Sequence, residues 1–140
     1  MTDRARLGRR SKTKGKSWEK AVEDAIAVWM QFGEGDVVST KSGTDECDIG
    51  LSPAAQKRFP FWVECKNTKT LAFPAWIRQT REAIAKARSK LSPIVVFKQH
   101  GDSTGYVIIE FSVFMQLVSG FMADRERYPE TPENEQIGDD

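Results

Sequence analysis

From Ser17 onward apolar residues recur at helical spacing, so that Trp18, Ala21, Val22, Ala25, Ile26 and Trp29 share one face; Ser17 is suited to N-cap this helix, and Gly33 and Gly35 mark its end. Two strand-like segments follow, near Asp36 to Lys41 and Asp45 to Leu51, separated by Ser42-Gly43 as a turn signal. Pro53 opens a loop, and Phe59 to Lys66 reads as a third strand. Between Pro74 and Leu91 the period returns to that of a helix, with Trp76, Ile77, Thr80, Ala83, Ile84, Ala87 and Leu91 in its stripe. Ile94 to Gln99 and Tyr106 to Glu110 are strand-like, and Phe111 to Met122 closes the pattern as a helix. The order αβββαβ, followed by βα, predicts an α/β fold with a central mixed sheet flanked by helices.

Length sets the scale of that fold. The chain has 140 residues and a mass of 15.8 kDa, enough for one domain with a real core and too little for two. Residues 17–123 are expected to form this domain. The net charge of +1 conceals an asymmetry: the first sixteen residues carry seven cations and one acid, whereas Glu130 to Asp140 carry five acids and no base. Residues 1–16 therefore read as a basic, flexible arm suited to phosphate contacts, and residues 124–140 as an acidic, disordered tail. No apolar run follows the basic start and none reaches the length of a membrane span, so neither a secretory signal nor a membrane partner is expected.

Residue counts exclude several chemistries. His100 is the sole histidine, which rules out a zinc centre built from imidazoles. Cys47 and Cys65 lack the paired spacing of a zinc knuckle or a disulfide framework and fit free thiols in a reducing cytoplasm. Any metal must be held mainly by oxygen.

The sharpest local signal is Val63-Glu64-Cys65-Lys66, because strand alternation turns Glu64 and Lys66 to one face. Phosphodiester cleavage needs a hard cation to neutralise the phosphate and acidify a water, with a nearby positive group to orient that water. Glu64 suits the first task and Lys66 the second. A lone Glu-x-Lys arises by chance in roughly one of every couple of chains this long, so the context decides. Asp48 lies near the end of the preceding strand, where a hairpin would bring its carboxylate beside that of Glu64; a divalent cation would offset the repulsion of the pair. Glu19 sits at the border of the first helix's apolar stripe, where it either faces the same site or simply favours the helix dipole.

A helix glutamate, an aspartate on one strand and a Glu-x-Lys on the next resemble the PD-(D/E)XK nuclease superfamily. Lys14-Gly15, Glu19, Ser42-Gly43, Asp48-Ile49 and Val63-Glu64-Cys65-Lys66 look most like the archaeal-type and phage Holliday junction resolvases, over roughly residues 14–110. The resemblance implies a restriction-endonuclease-like core and Glu19, Asp48, Glu64 and Lys66 as catalytic residues. It implies Mg²⁺, with Mn²⁺ able to substitute, held by Asp48, Glu64 and the main-chain carbonyl of Cys65 with help from Glu19, and Ser42 near the phosphate. Gln79 matches a polar helix residue of many relatives. In this chain Cys47 replaces the proline that usually precedes the aspartate, and the connection from Asp48 to Glu64 is long.

Three functions are consistent with these residues: a metal-dependent endonuclease resolving four-way junctions in DNA recombination and repair, another nuclease of the same fold (repair, restriction-like or flap-cutting), or a non-catalytic DNA-binding module. The junction reading takes branched DNA as partner, with Arg9, Arg10, Lys12, Lys14, Lys16, Ser42 and Gln79 as contacts and no small-molecule cofactor. It also requires two active sites related by a two-fold axis, hence a homodimer. The broad apolar arc of Phe111, Val113, Phe114, Met115, Leu117, Val118, Phe121 and Met122 fits that demand. The expected setting is the cytoplasm of a bacterial or archaeal cell, or of a phage-infected cell. The segment from Ser52 to Phe61, with Gln56, Lys57 and Arg58 at its tip, reads either as a DNA-contacting hairpin or, in preference, as a surface loop.

Overall fold

The computed structural model describes residues 3–39 and 47–127. In chain order the elements are α1 (Asp3–Met30), β1 (Val37–Ser39), β2 (Ile49–Leu51), α2 (Pro53–Arg58), β3 (Phe61–Thr68), α3 (Phe73–Ala87), β4 (Ser92–Gln99), β5 (Tyr106–Ile109) and α4 (Phe111–Arg127). The chain divides into two compact units, the second beginning at Glu110.

In the first unit five strands form one open mixed sheet in the order β1-β2-β3-β4-β5. Only β3 and β4 run parallel, and α3 makes the crossover between them; the other three pairs are antiparallel. In-register partners on parallel strands share a face, which places Lys66 beside Phe97 and Glu64 beside Val95. Phe97 packs against Phe73 and Trp76 of α3, with ring centroids 5.0 and 5.8 Å away. The next residue, Lys98, points to the other face and lies over the Trp18 ring of α1 at 5.6 Å. Helices α1 and α3 therefore cover opposite faces. Between them the core closes on Val22, Ile26, Ile49, Val63, Trp76, Ile94 and Val95, all buried. At roughly 1.5–3 kcal/mol for each large apolar side chain, this burial sets the fold. Among the described residues no helix is long and apolar enough to cross a membrane.

Several boundaries differ from the expectations. The first helix begins at Asp3, well before Ser17, so the stretch expected to be a flexible arm is helical from Asp3 to Lys16. Its stripe is also narrower than its periodicity implies. Trp29 is 87% exposed, although it shares a helical face with Val22 and Ile26, and Ala21 and Ala25 are exposed as well. Periodicity gives a direction but not the point at which a helix outruns its sheet, and the edge strand β1 is only three residues long.

The segment after Ser52 is a short helix, not a loop. Ser52 is its N-cap, accepting from the Ala55 amide at 3.1 Å while donating its own hydroxyl to Asp36 Oδ1 at 2.8 Å. Pro53 takes the first helical turn, where its missing N–H costs nothing. Because α2 lies between β2 and β3, these strands are not a simple hairpin. Helix α3 stops at Ala87, short of Leu91: Arg88 adopts a left-handed conformation (φ 52°), and Ser89 N–H returns to the Ile84 carbonyl at 3.1 Å. Helix α4 extends past Met122 to Arg127, so the first residues of the expected tail are helical. The turn at Ser42-Gly43 and the tail from residue 128 lie outside the described residues.

Candidate active site

Strand β3 organises the site. Its antiparallel register with β2 pairs Ile49 with Val63, and one step along that register sets Asp48 opposite Glu64. The Asp48 amide donates to the Val63 carbonyl at 3.1 Å, and its carboxylate oxygen Oδ2 accepts from the Cys65 amide at 2.7 Å. Asp48 thus substitutes its side chain for the next rung of the ladder. A strand residue sends its N–H and C=O the same way, so the Cys65 carbonyl points to the side on which Asp48 lies, away from β4. Two carboxylates and one carbonyl share this side of β3.

Glu64 is half-buried, and the buried Trp62 indole donates to its Oε1 at 3.1 Å. Its carboxyl is pushed up from the ordinary 4.5 to about 8, first by burial, then by the charge of Asp48 and a hydrogen bond with it. The Trp62 indole and the Lys66 ammonium pull the other way. Glu19 on α1 is also raised, by burial and then by Asp48, with Lys16 opposing. Burial first, then Asp48, Glu19 and Glu64 in turn, push the Cys65 thiol up, so this cysteine is a poor nucleophile. The same couplings place all three acids and Lys66 around Cys65.

These donors suit a hard divalent ion: oxygen ligands, a carboxyl pair repelling without a counter-charge, and an ammonium nearby. Among the described residues no three His, Cys, Asp or Glu side chains form a metal-holding group. The compatible set is therefore Asp48, Glu64 and the Cys65 carbonyl, with Glu19 standing at charge-coupling distance from Asp48.

The DNA contacts expected from sequence are only partly brought to this place. Lys14 and Lys16 are exposed on α1, and the Lys14 carbonyl accepts from Asn67 Nδ2 at 3.3 Å, which ties that turn to the end of β3. Gln79 is exposed on α3, with no hydrogen bond linking it to the acids. Arg9, Arg10 and Lys12 fall on α1, but their side chains, like all of Ser42, are outside the described part.

Sequence reading missed a second group of cations. Lys69 and Lys98 come from the ends of β3 and β4, where Gln99 Nε2 donates to the Lys69 carbonyl at 3.1 Å and Lys98 lies over Trp18. None of Lys14, Lys16, Lys66, Lys69 and Lys98 forms an ion pair among the described residues. A clue was present in sequence, since parallel strands joined by a crossover gather their C-terminal ends on one rim. A ring nitrogen of His100 pairs with the Asn67 carbonyl at 3.0 Å on the same rim. Comparison with protein-family models, with curated proteins and with solved structures returned no match.

Proposed function

We propose that this chain is a Mg²⁺-dependent DNA endonuclease of the PD-(D/E)XK type, acting on four-way junctions. The observation that carries the reading is the convergence of Asp48, just before β2, with Glu64 and Lys66 of β3, beside lysines that form no ion pair among the described residues. Asp48, Glu64 and the Cys65 carbonyl would hold the ion, with Glu19 biasing it through the field at Asp48. When bound, the ion would neutralise a scissile phosphate and acidify a water. Lys66 orients the water and stabilises charge developing on the phosphate oxygens. Lys14, Lys16, Lys69 and Lys98 neutralise flanking phosphates.

The restriction-endonuclease-like reading of the core rests on the mixed sheet, with Asp48 just before β2, Glu64 on β3 and Glu19 on the first helix. Junction preference rests on the sequence resemblance, as does the homodimer, which the exposed apolar side chains of α4 also favour. The test is cleavage of a labelled four-way junction and a matching linear duplex in Mg²⁺, by the unmodified chain and by Glu64→Gln. Paired nicks confined to the junction and lost in Glu64→Gln are the expected result. Equal cutting of both substrates would keep the nuclease and discard junction specificity. Tight DNA binding with no cleavage at any metal concentration would make the chain a binding module.

A further inference from the structure

We infer that Trp62 is a positioning residue for Glu64, its indole N–H holding one carboxylate oxygen so that the other is presented towards Asp48 and the cation the pair would share. This rests on the metal-dependent reading above. Trp62 is 5% exposed, and a buried indole N–H needs an acceptor. The acceptor is Glu64 Oε1 at 3.1 Å, although a backbone carbonyl would satisfy the ring equally well. Residues two apart on a strand share a face, so the indole reaches along β3 from below Glu64. Further along the same face Phe97, the in-register neighbour of Lys66, packs with Phe73 and Trp76. An indole is a donor only and does not titrate in the working range, so it restrains the carboxylate at every pH. Phenylalanine at this position would fill most of the volume and hold nothing. Donors that tether a ligating carboxylate affect metal affinity without touching the metal.

The experiment uses the full chain with Mn²⁺ as probe. Affinity is measured by calorimetry and by the spin-resonance signal of free Mn²⁺, for the unmodified protein, Trp62→Phe, Glu64→Gln and the double variant. Trp62→Phe is expected to weaken Mn²⁺ binding by about 10-fold or more, as removal of an outer tether does elsewhere. Glu64→Gln is expected to bind as weakly as the double variant, since Trp62 acts only through Glu64. Unchanged affinity in Trp62→Phe, or an equal further loss in the Glu64→Gln background, would overturn the inference.

The indole ¹⁵N–¹H resonance of Trp62 gives a readout that needs neither metal nor a Trp62 variant. It should move in metal-free Glu64→Ala; a resonance that stays in place overturns the positioning role, even if Trp62→Phe does not fold. Failure of the unmodified chain to bind Mn²⁺ would sink the nuclease reading instead, and the indole resonance would still decide whether Trp62 holds Glu64.

Discussion

At the scale of single residues, the main feature is a carboxyl that holds its proton far above its ordinary range. Between 4.5 and about 8 the folded protein binds a proton at Glu64 that the unfolded chain releases. The associated stability is fully present below the unfolded value and is lost as pH rises to about 8. Thermal melts in chelator should therefore show a falling midpoint from pH 5 to pH 8.5, and Glu64→Gln should flatten that slope. A slope identical in both proteins would place the proton elsewhere. Mg²⁺ is expected to recover stability most at the alkaline end, where no proton has to be displaced. Glu64 and Lys66 were legible from alternation alone, because a strand has one period and both residues lie inside it. Trp62 was not: nothing in a sequence says which acceptor a buried indole chooses.

At the scale of elements, Trp18 of α1 packs closely against Gly105, just before β5. A Cβ added at Gly105 would lie 2.6 Å from Trp18 Cη2, while the Trp18 indole is anchored to the Val96 carbonyl at 3.1 Å. The ring cannot retreat without breaking that bond, so Gly105→Ala is expected to cost about 1–3 kcal/mol in urea unfolding, as overpacking does. It should also reduce cleavage, because Glu19 follows Trp18 on the helix. Loss of less than 0.5 kcal/mol, the scatter of ordinary surface changes, would mean that Trp18 has room to move. Ser52→Ala tests α2 and should cost about 1 kcal/mol, the usual worth of an N-cap. The helical and strand periods foretold most of the elements, whereas α2 was hidden because six residues are too few to display a period. The stop at Arg88 was hidden for a different reason: a left-handed cap is ordinarily advertised by glycine, and none is present.

At the scale of the whole molecule, charge and oligomeric state come into play. If Lys69 and Lys98 contact phosphates, Lys69→Ala and Lys98→Ala should each lower the slope of log affinity against log salt by about 1 on junction DNA. An unchanged slope would move the DNA path off the ends of β3 and β4. Helix α4 exposes Phe111, Phe114, Met115, Leu117, Val118, Phe121 and Met122, more apolar surface than one solvated helix ordinarily carries. Sedimentation at micromolar concentration is expected to give a dimer, with Phe114→Glu shifting it towards monomer. A monomer throughout would remove the two-fold symmetry that paired cleavage requires.

Sequence by itself determined the α/β class and the strand carrying Glu64 and Lys66, because periodicity is a property of the chain alone. Tertiary structure decided the rest. Only the β2–β3 register brings Asp48 to the Cys65 amide, across a helix that no period revealed. Only the parallel β3–β4 pair gathers Lys69 and Lys98 near Lys14, and only burial together with the neighbouring Asp48 raises Glu64. These features depend on distance and on the exclusion of water, and a linear pattern encodes neither directly.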